Sequence, residues 1–333
     1  MCSSFFIAPP QGLPCVSGPA LRRRSLLALA LAGTASPWLR AEPAQEDEWI
    51  DAARSRALPV LVRWPAGKPQ GVVIFSHGLG GRRDGAGVWG LAWVQAGFTV
   101  LHLQHPGSDA PALKGGFSAL RKAMAAEQLQ ARVADVKFAL DEIQRRHSAA
   151  TGAWADVPLQ RIALAGHSFG ARTAQAMAGQ TYPKAGGWSG LDKRIKAFVA
   201  LSPGLGRGLS ESQAREDAKA ITRPMLVVSG SLDGEVLSNG ETVESRRRVY
   251  DTLPGGAKAL LWLDGADHLT FAGNEKLIPS NFLIHREAST LATEAVHHRS
   301  VAKVTTAWLK EALLAQPMEA PMGLAAGDVW LRG

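Results

Sequence analysis

The sequence predicts an α/β fold, a mostly parallel sheet with helices packed on both of its faces. Three observations carry that prediction. From about residue 58, short β-branched or apolar runs alternate with longer amphipathic stretches, the pattern of strand–helix–strand units. The run Val72-Val73-Ile74-Phe75 is apolar without alternation, as a strand buried on both sides requires. The 333 residues are 46% hydrophobic and 20% charged, enough apolar material for one large core. No run of 18 apolar residues is present, which excludes a polytopic membrane protein.

The predicted strands, in order, are Pro59–Trp64, Gly71–Ser76, Phe98–Leu103, Arg161–Ala165, Ile195–Leu201, Met225–Ser229 and Ala257–Leu263. Each is too short for a buried helix and is bounded by Gly, Pro or polar residues. Helical patterns lie between them at about 85–96, 120–147, 169–179, 210–220 and 241–253, with a last one at about 286–314. Within 120–147, Val133, Val136, Phe138, Leu140 and Ile143 recur at three- and four-residue steps and mark one buried face. No repeat or interior linker interrupts the alternation, so residues 42–315 read as one domain. Residues 316–333, with two prolines and little periodicity, read as a tail lying along the surface.

The N-terminal 41 residues have a different character. They hold Arg22, Arg23, Arg24 and Arg40 but no Lys, Asp or Glu, and the arginines precede an Ala/Leu run from Leu26 to Ala32. A basic segment, a short apolar run and a small-residue site form an export leader. Arg23-Arg24-Ser25-Leu26-Leu27 is similar to a twin-arginine (Tat) signal, with a Sec signal carrying incidental arginines as the competing reading. Cleavage fits after Ala35 or after Ala41. Removal through Ala41 halves the formal charge from +8 to +4, so the basic balance belongs partly to the leader.

The processed chain is expected to be periplasmic or secreted. Both cysteines, Cys2 and Cys15, fall in the leader, which leaves no disulfide and no thiol nucleophile. Arg246-Arg247-Arg248 is the one basic tract beyond the leader and reads as a solvated helix face rather than a nucleic-acid site. No cofactor motif is found, and no metal site is assigned.

Chemistry enters at Gly166-His167-Ser168-Phe169-Gly170. A G-x-S-x-G pentapeptide is weak evidence alone. Here a strand precedes it and a helix pattern follows, the context in which a sharp turn lifts a serine Oγ above a sheet. A serine nucleophile needs a base, and the base needs an orienting carboxylate. Asp233 follows the Met225 strand and His268 follows the Ala257 strand, so both sit at C-terminal strand edges, where α/β sheets place their sites. Asp264 and Asp267 are rival acids that read as loop residues. His285, His297 and His298 compete with His268, but on or beside the last helix a solvated histidine is the ordinary explanation.

The Gly-rich turn Ser76-His77-Gly78-Leu79-Gly80-Gly81 can aim a backbone N–H at the reacting centre. The N–H groups of Leu79 and Phe169 are therefore assigned to an oxyanion hole. His77 precedes the nucleophile in the chain and reads as a brace for this loop.

With these residues in place, the region from about 58 to 314 resembles the α/β-hydrolases of the dienelactone-hydrolase-like and platelet-activating-factor-acetylhydrolase-like group. The resemblance is strongest in Ile74-Phe75-Ser76-His77-Gly78-Leu79-Gly80 and in the Ser168 pentapeptide. It implies a serine esterase with backbone oxyanion donors from Leu79 and Phe169. Dienelactone hydrolases use a cysteine where this chain has Ser168. The plasma-type acetylhydrolases carry their acid one strand earlier than Asp233, where this chain reads Ala200-Leu201-Ser202-Pro203.

The expected activity is hydrolysis of a small-molecule or lipid-like carboxylic ester through an acyl-enzyme. A peptidase or amidase on the same fold and a non-catalytic binding protein are the alternatives. The interval from Ser168 to Asp233 leaves no room for a large lid. Trp89, Trp93, Phe169 and Phe271 are candidates for an apolar pocket wall, although the i, i+4 spacing of the two tryptophans favours core packing.

Overall fold

The alternation resolves into a nine-stranded sheet, among the described residues, with helices on both faces. The computed structural model describes residues 44–206, 208–234, 241–276 and 286–333, so the segment read as an export leader and His285 lie outside the described residues. The described part begins with an antiparallel pair, β1 (Gln45–Asp51) and β2 (Arg56–Arg63). Then come β3 (Gly71–Ser76), α1 (Gly87–Gln95), β4 (Phe98–Leu103), α2 (Gly116–Ala123), α3 (Ala126–Ser148), β5 (Ile162–His167) and α4 (Phe169–Ala178). A short ribbon of β6 (Thr181–Tyr182) and β7 (Trp188–Ser189) follows. The remainder is β8 (Ile195–Leu201), α5 (Glu211–Ala218), β9 (Met225–Leu232), α6 (Val243–Thr252), β10 (Lys258–Asp267), α7 (Ala288–Leu314) and β11 (Val329–Arg332).

Strand order is β1-β2-β4-β3-β5-β8-β9-β10-β11, with a parallel block from β4 to β10 and antiparallel strands outside it. The chain steps from β3 outward to β4, then crosses back to β5 on the other side of β3. Connections therefore diverge at the carboxyl ends of β3 and β5, which opens a crevice there. That reversal positions the site.

Two apolar layers fill the faces, and strand residues alternate between them as the pleat requires. Val72, Ile74, Ile162 and Leu164 pack with α3, α4, α5 and α6, through side chains such as Val133, Val136, Ala174 and Val249. Val73, Phe75, Ala163 and Ala165 pack with α1 and α7, through Trp89, Trp93, Val304 and Trp308. The two tryptophans of α1 are fully buried, and their indole N–H groups bond the Phe271 carbonyl at 3.2 Å and Thr305 Oγ1 at 3.0 Å.

Several elements differ from the sequence reading. The pattern at 120–147 is two helices, α2 and α3, parted at Met124 and Ala125; Ala125 is extended, and nothing local in the sequence marks this break. β1 alternates around charged residues and buries only Trp49 and Asp51, too few for an apolar pattern to show. Beyond Gln316 the chain does not only lie along the surface: β11 pairs with β10 and extends the sheet. Three of its residues are only partly buried and Arg332 is exposed, so an edge strand of this kind leaves little hydrophobic signature.

Candidate active site

β5 ends at His167, and Ser168 occupies a left-handed turn (φ 54°, ψ −112°) before α4 begins at Phe169. That conformation is costly for a non-glycine residue and is held because strand and helix cannot separate. A Cβ on Gly170 would strike the Ser76 carbonyl oxygen, and one on Gly166 would strike the Gly170 carbonyl. Only glycine permits this approach at either position. The turn brings Ser168 Oγ to 2.9 Å from His268 Nε2, and His268 Nδ1 lies 2.9 Å from Asp233 Oδ1. His268 follows β10 and Asp233 follows β9, so neighbouring parallel strands deliver base and acid to the same edge.

Asp233 is fully buried and heavily solvated by protein groups. Ser229 Oγ donates to Oδ2 at 2.8 Å, Ser202 Oγ donates to Oδ1 at 2.9 Å, and Arg246 Nε lies 3.0 Å from Oδ1. Burial works against the charged carboxylate, but the Arg246 guanidinium and the hydrogen bond from His268 outweigh it and hold the carboxyl below its ordinary range. Ser202 adds a second contact, since its Oγ lies 2.7 Å from His268 Nδ1. The residue is buried at φ 52°, backbone strain that turns its hydroxyl into the gap between acid and base. Thus a hydroxyl occupies the place where the acetylhydrolase pattern has its carboxylate.

Arg246 corrects the reading of its tract. It is 2% exposed, not on a solvated face, and its Nη1 donates to the carbonyls of Ser202 and Pro203 at 3.0 and 3.1 Å. Arg247 stacks over Trp262 and Arg248 pairs with Glu211, as surface arginines do. Removing one partner of a buried ion pair leaves an uncompensated charge. Arg246→Met is therefore expected to destabilise the fold by about 3–5 kcal/mol, read from urea unfolding midpoints. Wild-type stability in this variant would refute the pairing.

The loop after β3 is braced from beneath. His105 N–H donates to His77 Nε2 at 3.0 Å, which leaves the proton on Nδ1 to bond the Gly78 carbonyl at 2.5 Å. Burial is the main cause that drives the His77 imidazolium far below its usual range, so the ring is neutral. Arg132, wholly buried in α3, donates to the His77 carbonyl at 2.6 Å, to the Gly78 carbonyl at 3.3 Å and to Ser108 Oγ at 2.8 Å. Its guanidinium also lies 4.4 Å from the Phe169 ring centroid. In a trans peptide the N–H points opposite to the C=O. With the Gly78 carbonyl drawn inward, the Leu79 N–H points the opposite way, and Leu79 lines the cavity. The Phe169 N–H, first in α4, belongs to the helix terminus, where donors lack intrahelical partners.

His167 holds the other side. Its Nε2 lies 3.0 Å from the His268 carbonyl, and burial lowers its pKa to about 3, so the neutral ring donates. This ties the base loop to the serine turn. Neither this contact, nor Arg132, nor Arg246, nor Ser202 was singled out from the sequence for the site.

The rival residues lie elsewhere. Asp264 is exposed and accepts from Ser231 Oγ at 2.7 Å. Asp267 pairs with Arg286 through both carboxylate oxygens, at 2.7 and 2.9 Å, and accepts from the Thr270 N–H at 2.9 Å. His297 is buried in α7 rather than solvated, and His298 stacks against Trp89 while its ring bonds the Thr270 carbonyl.

Ser168, His268, Leu79 and Phe169 all line one cavity of about 1170 Å³. Leu205, Leu209, Met124 and Tyr182 give it apolar walls, while Arg172, Gln180 and Asp217 supply polar groups. Of the aromatics considered for the pocket, Phe169 lines it; Trp89, Trp93 and Phe271 are core residues instead.

A parallel block that reverses at β3 and β5, with a serine on a strained turn after β5, is the α/β-hydrolase fold. No family model matches the sequence, and no curated protein matches it either. Among solved structures the chain is similar to a ferulic acid esterase from Streptomyces cinnamoneus, at 18% identity and a TM-score of 0.59. The likeness covers 87% of this chain and 96% of that one, and at this identity it is a likeness of fold.

Proposed function

We propose that the protein is a serine carboxylic-ester hydrolase that works through an acyl-enzyme. The observation that carries this reading is the chain of contacts from Ser168 Oγ to His268 Nε2 and from His268 Nδ1 to Asp233, each 2.9 Å, opening on a large cavity. Ser168 Oγ attacks the ester carbonyl carbon while His268 Nε2 takes its proton. The carbonyl oxygen becomes an oxyanion, met by the N–H groups of Leu79 and Phe169 and by the amino end of α4. The tetrahedral intermediate collapses, the C–O bond to the alcohol breaks, and His268 returns the proton to the leaving oxygen. Water then repeats the sequence in reverse roles, releasing the acid and restoring Ser168. Asp233 keeps the proton of His268 on Nδ1, so that Nε2 is free to accept.

Similarity to an esterase structure supports the ester as substrate, and the residues around Leu79 and Ser168 support the dienelactone-hydrolase-like and acetylhydrolase-like group within the fold. The leader read over residues 1–41 supports action outside the cytoplasm. Turnover of p-nitrophenyl acetate and butyrate, set against aminoacyl-p-nitroanilides, tests the reading. Ester cleavage with no anilide cleavage is expected; the reverse would make the protein an amidase, and activity on neither would sink the proposal.

A further inference from the structure

One charged side chain beside the nucleophile has no ion-pair partner among the described residues. Arg172 lies four residues after Ser168, one turn along α4, and it lines the cavity. Residues so spaced share a face of the helix, and helical side chains lean toward the amino end, here toward Ser168. One of its guanidinium nitrogens ends 3.9 Å from where a Cβ on Gly206 would stand, beside Leu209 on the cavity wall. The residue is half-buried, and no carboxylate pairs with it among the described residues.

The other charged groups lining the cavity are engaged or displaced. Asp84 pairs with Arg82, and Glu216 pairs with Lys219 on the exposed side. Glu241 accepts from the Gly206 N–H at 2.9 Å and from Ser245 Oγ at 2.9 Å. Arg246 faces Asp233. Asp217 is buried with no ion-pair partner among the described residues, its pKa raised by burial and then by repulsion from Glu216, and it forms no ion pair with Arg172. Arg172 is thus a cation one helical turn from the reacting serine, with no ion-pair partner among the described residues.

We infer that Arg172 is a specificity residue for an anionic substrate: an ester bearing a second, free carboxylate within a side-chain length of the scissile bond. This rests on the ester-hydrolase reading of Ser168 and specifies its substrate class. A guanidinium offers a planar pair of donors that matches a carboxylate in two parallel hydrogen bonds, and a half-buried setting strengthens them. Neutral esters would fill the apolar walls but leave this cation unmatched.

The test compares matched ester pairs in which a terminal carboxylate replaces a methyl group. Mono-p-nitrophenyl succinate against p-nitrophenyl butyrate places the charge on the acyl side. 3-(Butyryloxy)propanoate against propyl butyrate places it on the alcohol side. In the wild type, kcat/KM for at least one charged ester is expected to exceed its neutral partner by at least ~10-fold, the worth of one hydrogen bond to a charged group. Arg172→Gln should collapse that ratio and Arg172→Lys should keep part of it, whatever either does to absolute rates. Thermal melts of both variants confirm that a folded protein is compared.

Calorimetric titration of Ser168→Ala with the same pairs, alone and combined with Arg172→Gln, reads binding without turnover. Charge-selective binding that depends on Arg172 in a protein that cleaves no ester would keep this inference and discard the esterase reading. Equal affinity for charged and neutral partners, or a preference that survives Arg172→Gln, overturns the inference and leaves the esterase reading untouched.

Discussion

Ser168→Ala is expected to lower ester turnover by at least ~10³-fold, because the variant loses the one atom that forms the acyl bond. The loss should come without a comparable loss of stability. Among the described residues Ser168 Oγ has one hydrogen-bond partner, His268 Nε2, and Ser168 lines the cavity. The strained turn is imposed by the contacts of Gly166 and Gly170, which the substitution leaves in place. A fluorophosphonate probe separates loss of chemistry from loss of binding, since it reacts only with an activated serine. Labelling of the wild type and none of Ser168→Ala is the expected pair of results. Labelling retained in the variant would place the nucleophile elsewhere.

Asp233→Asn should reduce kcat by up to ~10⁴-fold with little change in KM. An amide in that place can present its NH2 to His268 Nδ1, which drives the ring proton onto Nε2 and removes the acceptor that Ser168 needs. The structure adds a second consequence. Arg246 would then be a buried cation facing a neutral group, so the variant should also unfold at lower urea. Active-site titration of the folded fraction keeps the two effects apart. Asp264→Asn touches an exposed residue, and Asp267→Asn disturbs a pair with Arg286 while leaving the bonds of the His268 ring to Asp233 and Ser168 in place. Both should retain most activity. If either loses turnover while Asp233→Asn keeps it, the acid has been misassigned.

What could be read from the sequence follows a physical divide. Parallel strands with helical crossovers write themselves as short apolar runs, and chemistry at their carboxyl ends falls at predictable places in the chain. Ser168, Asp233 and His268 could therefore be named from order and position, and the fold brings all three together. The supporting groups obey no such local rule. Arg132 is an arginine in mid-helix, and only the packing of α3 against the loop after β3 turns it toward the carbonyls of His77 and Gly78. Arg246 sits within three consecutive arginines, and helix geometry alone decides which of them points inward. Ser202 gave no signal except the absence of a carboxylate, and its role depends on a backbone twist that composition does not record. The edge strands β1 and β11 bury too little to leave a pattern.

The buried imidazoles bear on the proton balance of folding. Burial is the leading cause that lowers the pKa of His102 and His167 to about 3 and of His105 to about 4, and it pushes His77 the same way. The unfolded chain would protonate these rings near the ordinary value of 6.5, whereas the native state keeps them neutral. Their depressed values mean that their share of stability is complete above that point. It drains away as acidity rises from about 6.5 through 4 toward 3, because unfolding then takes up protons that the native state refuses. Two of these rings, His77 and His167, brace the loops around Ser168, so the framework that shapes the site is also what ties the native state to neutral surroundings.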